Sequence, residues 1–393
     1  MTSVQEKIQR IEKAVRLVYD RREGPIPLHA PCFRGREADY VQDCIHSGWV
    51  SSVGEYVSRF EHMVAEFTGA PHAVATVNGT AAIIVSLVLA GVREGDGILC
   101  PAFSFVGTVS PVVSSKAVPI FMDSDPANLG MDPRKVERFL DEECTRGQDG
   151  GTYESVTGRR IRACLPMHAY GYPADMAKLL DVCKEHGVLV IEDAAEALGS
   201  RYGESHCGTM GILGILSFNG NKTITTGGGG MILTHDEDLA KRAKHLTTTA
   251  KVDHPWDYMH DAVGYNFRMP NLNAALGCAQ MEELESLLVR KKEQAGRLEG
   301  FLEGVESVEA VSPVTGQANH WLNLVRVPDE DRDDILNGLN EQGIQARASW
   351  TPLCDMPPYR GYERFEIRSA RDLYASVICL PNGVLSDDDP SEA

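Results

Sequence analysis

Three short stretches carry residue types that could do chemistry together. The first is Asn78-Gly79-Thr80, a small turn between a strand-like run and an apolar helical run. At a helix N-terminus such a turn offers free N–H groups, a hydroxyl and the positive end of the helix dipole, which suits a phosphate. The second runs from Val188 to Gly199, where an apolar strand meets Glu192-Asp193 and then the small residues around Ala195 and Glu196. Ligands of open α/β sheets bind beyond the carboxyl ends of strands, which is where Asp193 falls. The third, Ser217 to Gly230, holds a lone cation, Lys222, between Asn residues and four consecutive glycines. No Gly-Lys-Ser/Thr closes those glycines, so this is not a Walker loop. Singly, each has a plainer reading: a threonine near a helix start, an aspartate cap and a solvated surface lysine. Together they are the parts a pyridoxal-phosphate site needs. The phosphate is anchored, an aspartate pairs with the protonated pyridine nitrogen, and the lysine forms the Schiff base. An unperturbed lysine is neutral in only roughly one molecule in a few thousand at pH 7, so the site must bury it or crowd it with charge.

These residues need a sheet to bring them together. Ala73 to Val77, Gly97 to Cys100, Val118 to Met122, Ile161 to Met167, Val188 to Ile191, Gly214 to Phe218 and Met231 to Thr234 all read as strands. Between them lie helical stretches, among them Ala81 to Val92, Pro133 to Glu142 and Pro173 to His186. The alternation predicts an α/β domain with a mostly parallel central sheet flanked by helices. Val4, Ile8, Ile11, Val15 and Val18 make one face of an N-terminal helix, and Arg21 to Pro27 breaks it. Glu143 to Arg160 reads as a loop or short hairpin. A long helix is expected from Asn273 to about Leu302, then a strand at Leu322 to Val327 and a helix at Asp331 to Gln342. The expected division is an N-terminal helical arm (1–25), a large cofactor domain (26–255) and a smaller C-terminal α/β domain (256–393), with the boundary between 250 and 260. The acidic end, Ser386 to Ala393, reads as frayed.

Composition removes several classes of function. The 393 residues sum to a net charge of −18, which disfavours nucleic acid and anionic membrane as partners. The longest apolar run, Ala81 to Val92, is too short to cross a bilayer. No secretory signal is visible, and a cytoplasmic protein is expected. The ten cysteines form no Cys-x-x-Cys pair and the histidines no His-x-x-x-His pair, so free thiols and no metal site are expected.

The chain resembles the DegT/DnrJ/StrS nucleotide-sugar aminotransferases, fold type I pyridoxal-phosphate enzymes, from about Pro27 to Pro381. The resemblance rests on Gly48-Trp-Val-Ser-Ser-Val-Gly54, Asn78-Gly-Thr-Ala-Ala, Pro101-Ala-Phe-Ser-Phe-Val, Glu192-Asp-Ala-Ala-Glu-Ala-Leu-Gly-Ser, Ser217-Phe-Asn-Gly-Asn-Lys and Gly264-Tyr-Asn-Phe-Arg-Met-Pro. The run Ser217 to Met231, with Ala243 to Lys251, is most similar to the LegC-like branch. That branch aminates C4 of a UDP-linked 4-keto-6-deoxy-N-acetylhexosamine on the way to bacterial surface sugars.

The resemblance implies a role for each residue. Lys222 holds the cofactor and later moves a proton, and Asp193 pairs with the pyridine nitrogen. Phe105 stacks on one face of the ring and Ala195 packs on the other. Gly79, Thr80 and Ser217 hold the phosphate, and Asn266 reaches the cofactor of the neighbouring subunit in a homodimer with shared sites. Glu196 stands where many relatives carry Gln, beside the phenolic oxygen. L-Glutamate is the expected amino donor, with pyridoxamine phosphate as the aminated cofactor. Arg268 and Arg347, then Lys251 and His320, are expected to face the nucleotide diphosphate or the donor carboxylates. A dehydratase of the family would carry His at position 222. The alternatives are the same chemistry on a TDP- or GDP-linked keto sugar, or a non-catalytic protein of this fold. Because these ligands are anions and the chain is acidic, a positively charged pocket is expected.

Overall fold

The computed structural model describes residues 3–21 and 23–385; the acidic end read as frayed lies outside them. The large sheet contains β1 (His72–Thr76), β2 (Gly97–Pro101), β3 (Val118–Met122), β4 (Cys144–Arg146), β5 (Thr152–Glu154), β6 (Arg160–Cys164), β7 (Leu189–Asp193), β8 (Leu213–Ser217) and β9 (Gly230–Thr234). A late strand, β13 (Arg364–Phe365), joins its far edge, giving the order β1-β9-β8-β7-β6-β2-β3-β13 with the β4–β5 hairpin beside β6. Pairs from β8 through β7, β6, β2 and β3 to β13 are parallel, while β9 runs antiparallel to both its neighbours. Strands buried on both faces read as unbroken apolar runs, as β2 and β9 do. The segment 143–160, expected to be a loop or hairpin, is the β4–β5 hairpin.

Helices cover both faces. Because α4 (Gly79–Leu89) carries no charged side chain, it can be enclosed, and it packs among α5 (Val106–Ser114), α8 (Glu237–Thr247) and strands β8 and β9. Asp132 caps α6 (Pro133–Glu142) by accepting from the Arg134 N–H, Pro133 supplies the favoured first-turn proline, and α7 (Met176–Glu185) packs against α6. On the other face α2 (Glu37–Ser47) and α3 (Glu55–Thr68) pack against the first half of α9 (Asn271–Leu302), where Phe60, Leu216, Met231 and Leu284 share a core. The Gly264 to Pro270 motif returns to the large sheet, since Thr76 bridges Arg268 and the Val77 N–H donates to the Phe267 carbonyl.

A second, antiparallel sheet has the order β10 (Glu309–Ala310), β11 (Asn323–Arg326), β14 (Val377–Leu380), β12 (Arg347–Ala348). The N-terminal helix α1 (Val4–Val18) shares the core beside it. Its Ile8, Ile11, Val15 and Val18 are buried with Leu298 and Leu302 of α9 and with Ile335 and Leu339 of α10 (Arg332–Glu341). Helix α9 therefore contributes its first half to the core of the large sheet and its last turns to that of the small one. Among the described residues no helix is long and apolar enough to cross a membrane.

Candidate active site

The strands β1, β2, β7 and β8 all point their carboxyl ends to one edge of the large sheet, and the three chemical stretches follow from that. Asn78 to Thr80 comes after β1, Phe105 after β2, Asp193 ends β7 and Ser217 ends β8. They line one cavity of about 280 Å³, together with Ala195, Glu196, Asn219, Lys222, Thr108 and Met167. Lys222, Asp193, Gly79, Thr80, Phe105, Ala195, Glu196 and Ser217 are thus brought together as expected from the sequence.

The turn before α4 is built to leave donors open. Asn78 caps the helix, its Oδ1 accepting from the Ala81 N–H at 2.7 Å while its carbonyl accepts from Ala82. Thr80 and Gly79 are left with N–H groups free at the cavity wall and at the positive end of the helix dipole. Close approach demands glycine at Gly230, where a Cβ would come within 2.4 Å of the Asn78 carbonyl carbon, and is tight at Gly79, where one would lie 3.2 Å from the Ser217 Cβ.

Asp193 is buried, and that burial pushes its pKa up. Opposing this, its Oδ2 accepts from the Thr108 hydroxyl at 2.7 Å, its Oδ1 accepts from the Ala195 N–H at 3.1 Å, and the charge of Lys222 acts from across the cavity. Behind it, the Glu192 carboxylate accepts from the Gly208, Met210 and Gly211 N–H groups and from His168 Nε2. Since the Ala174 N–H donates to His168 Nδ1, the histidine proton sits on Nε2 and points at Glu192. These bonds fix the turn that carries Asp193.

Lys222 Nζ donates to Glu196 Oε1 at 2.9 Å, inside the protein. Burial raises the Glu196 pKa, against the pull of Lys222 and of the Tyr170 N–H, which donates to its other oxygen at 2.9 Å. A buried pair of this kind contributes little net stability, because desolvation offsets the attraction. Its value lies in fixing where the amine sits. Tyr170 itself has left-handed backbone (φ 55°), a strained conformation for a bulky residue, and it delivers that N–H.

The remaining sequence candidates lie elsewhere. Asn266 is exposed and bridges Thr248, outside the cavity. Arg268 lines a second cavity with Lys244, Asp43, Glu55 and Trp49. Lys251 Nζ sits over the Tyr258 ring in an exposed segment, and Arg347 on β12 donates to Asn340 Oδ1 and its neighbour's carbonyl. His320 lines a separate cavity with Tyr172, Lys292 and Glu299, where burial and the nearby Lys291 and Lys292 push its pKa down to about 4. The expected positive pocket is not what the lining provides. It holds two carboxylates, Asp193 and Glu196, against one ammonium, Lys222, and its positive end is the uncharged helix terminus of α4. A phosphate held by N–H groups needs no counter-charge in the wall.

Sequence reading missed Thr108, Tyr170, Asn319 and Trp321. Asn319 Nδ2 donates to the carbonyls of Glu196 and Leu198, and the Trp321 ring lies 4.3 Å from Lys222 Nζ. Thr108 alone had a nearby signal, following the quoted Pro101 to Val106 motif by two residues.

The donor set fits pyridoxal phosphate: a helix-terminal cradle, a buried aspartate, a partly exposed aromatic ring at Phe105 and one lysine share a single cavity. Comparison with known proteins agrees. The model of the DegT/DnrJ/EryC1/StrS aminotransferase family matches residues 31–392. EpsN of Bacillus subtilis is 36% identical over 366 residues, covering 91% of each chain. GDP-perosamine synthase of Caulobacter vibrioides is 35% identical over 361 residues, covering 91% of this chain and 92% of that one. The solved aminotransferase TlmJ from Streptoalloteichus hindustanus superposes with a TM-score of 0.84 at 28% identity, covering 94% of this chain and 96% of that one.

Proposed function

Because the chain belongs to the DegT/DnrJ/EryC1/StrS aminotransferase family, whose members depend on pyridoxal phosphate, we propose that it moves an amino group from L-glutamate to C4 of a UDP-linked 4-keto-6-deoxy-N-acetylhexosamine. The observation that carries the transfer chemistry is the meeting of Lys222, Asp193 and the Asn78–Thr80 turn in one cavity. The UDP-sugar assignment is supported by the Ser217–Met231 spelling. A second reading, the same chemistry on a GDP- or TDP-linked keto sugar, is favoured by the 35% identity to GDP-perosamine synthase.

In this reading the N–H groups of Gly79 and Thr80 and the hydroxyls of Thr80 and Ser217 hold the phosphate. Bound pyridoxal phosphate supplies the electron sink that stores the amino group between donor and acceptor. Asp193 would pair with the ring nitrogen and favour its protonated form, while the Thr108 and Ala195 donors oppose the upward push of burial on its carboxyl. Phe105 and Ala195, both in the cavity lining, would confine the ring. Lys222 Nζ would act as the base that removes the α-proton of glutamate and as the acid that delivers it to the cofactor, and a water molecule would supply the oxygen with which 2-oxoglutarate leaves. The same nitrogen serves in reverse when the keto sugar takes up the amino group. Glu196 receives the Nζ hydrogens and holds the amine in the cavity between these transfers.

Arg268 remains the foremost candidate for the nucleotide diphosphate, since it bridges Thr76, two residues before the Asn78–Thr80 turn. Lys251, Arg347 and His320 do not line the cavity. A homodimer is also proposed, with Asn266 serving the partner's cofactor. Its support is Asn266's exposed position outside its own cavity and the nearby exposed Trp49, Val53, Trp256, Tyr258, Met259 and Val263.

The test is spectroscopic. Protein loaded with pyridoxal phosphate should show visible absorbance, lose it with glutamate, and regain it with the correct member of a panel of UDP-, TDP- and GDP-4-keto sugars. Recovery with a GDP or TDP sugar alone would replace the first reading by the second. Lys222→Ala should bind cofactor without that absorbance and turn over nothing; normal turnover in this variant would overturn both.

A further inference from the structure

Lys222 is gripped from two sides by one aromatic residue far away in sequence. The Trp321 ring faces Lys222 Nζ at 4.3 Å, and its Nε1–H donates to the carbonyl of Asn221, the residue just before the lysine, at 2.6 Å. We propose that Trp321 is a positioning residue for Lys222, setting the amine with the face of its ring and the main chain with its indole N–H. This rests on the reading of Lys222 as the lysine that carries the cofactor.

Trp321 is held hard enough to do this. Its N–H donates to Asn319 Oδ1 at 2.9 Å, and the Asn319 amide in turn bonds the Glu196 carbonyl at 2.8 Å. The two groups that touch Nζ, the ring and the Glu196 carboxylate, are therefore set by the same asparagine. The Trp321 carbonyl accepts from Lys291 Nζ at 3.2 Å, a lysine buried in α9 that also donates to the Asn382 carbonyl. Burial without a carboxylate partner lowers the Lys291 pKa to about 7, so this anchor acts through hydrogen bonds more than through charge. The ring is stacked on Tyr170, whose ring is stacked on Trp350 with centroids 3.9 Å apart.

A cation over an indole face is favoured over the neutral amine, and the effect grows as water is excluded. The other charged or titratable groups that act on Nζ are the carboxylates of Glu196 and Asp193 and the imidazole of His29, behind Trp321 with ring centroids 6.4 Å apart. Burial and the charges of Lys291 and Lys222 hold His29 neutral, so it adds no charge of its own. Between transfers the displaced amine thus has a fixed resting place bounded by an aromatic face and a carboxylate. Phenylalanine could supply the face but not the indole donor.

The experiment uses full-length protein loaded with pyridoxamine phosphate, which leaves Lys222 unlinked. Acetic anhydride labelling of Lys222 is followed by peptide mass spectrometry across pH 6 to 10. Trp321→Leu should move the reactivity profile to lower pH, so that below its midpoint Lys222 is labelled about two- to fivefold faster than in the parent protein. Trp321→Phe, which keeps a ring face, should stay within twofold. A Trp321→Leu profile that superimposes on the parent's, or a Trp321→Phe profile that follows Trp321→Leu, would overturn the proposal. If Trp321→Leu does not fold, Trp321→Met is judged by the same shift. A parallel sample loaded with pyridoxal phosphate separates the two readings. Protection of Lys222 there upholds its cofactor role, and undiminished labelling removes that role and the proposal together.

Discussion

Thr108 supplies a sharp test of what opposes the burial of a carboxyl group. Its single hydroxyl hydrogen goes to Asp193 Oδ2 at 2.7 Å, so the Ser104 hydroxyl, also 2.7 Å away, is the donor in that second pair. Thr108→Val keeps the shape and removes the donor. Asp193 is then left with the Ala195 N–H and the Lys222 charge to oppose its burial. A hydrogen bond to a charged group contributes about 1.5–3 kcal/mol, which is roughly 10- to 150-fold in an equilibrium or a rate. If Asp193 pairs with the ring nitrogen as proposed, loss of this donor would make its carboxylate more basic, draw the shared proton toward it and weaken the electron sink. The expected result is a fall in kcat of about 10- to 150-fold with little change in cofactor retention, while Thr108→Ser stays near the parent. Single-turnover bleaching by glutamate, followed at several pH values, measures this directly. A Thr108→Val enzyme with kcat within twofold of the parent would refute the reasoning.

Gly230→Ala should disturb the phosphate end of the site from outside it. The new Cβ would meet the Asn78 carbonyl carbon at 2.4 Å and the Gly79 nitrogen at 2.7 Å, so the turn must shift. A loss of about 1–3 kcal/mol in unfolding free energy is expected, together with weaker retention of pyridoxal phosphate on dialysis. His206 should give a pH-dependent stability. Its Nε2 accepts from the Gly199 N–H and its Nδ1 bonds the Cys207 carbonyl, and burial pushes its pKa down to about 4 from 6.5. The unfolded chain then binds the extra proton first. Stability is full above pH 6.5 and is lost by about 3 kcal/mol as pH falls toward 4. His206→Gln should flatten the dependence of denaturant unfolding on pH between 6 and 4.5 by about one proton; an unchanged slope would exclude His206 as its source.

The parts of the site that are close in sequence were legible, and those joined only in space were not. Strands β2, β3, β8 and β9 lie buried in a covered sheet, so each reads as a short apolar run between turns. Asp193 and the Asn78–Thr80 turn stand at strand ends, where a local pattern reveals them. Trp321 and Asn319 reach Lys222 and Glu196 from about a hundred residues away, through hydrogen bonds that leave no mark on their own neighbourhood. The left-handed backbone at Tyr170 was equally silent, since glycine or asparagine would normally announce it. Single basic residues carry the weakest local signal of all, and the four substrate candidates are scattered over separate surfaces.

The place of β1 in the sheet has a consequence for how the protein is made. This early strand pairs along its whole length with β9, from His72 against Thr234 to Thr76 against Gly230. Just beyond it, the Val77 N–H is held by the carbonyl of Phe267. The phosphate cradle, although encoded near residue 79, has no fixed support until the chain past residue 267 has been synthesised and folded back. Contacts of such long sequence separation form slowly. A nascent chain therefore leaves the ribosome with its helices and inner parallel strands able to collapse well before it can capture a cofactor. Uptake of pyridoxal phosphate can then follow only after the sheet has closed on β1.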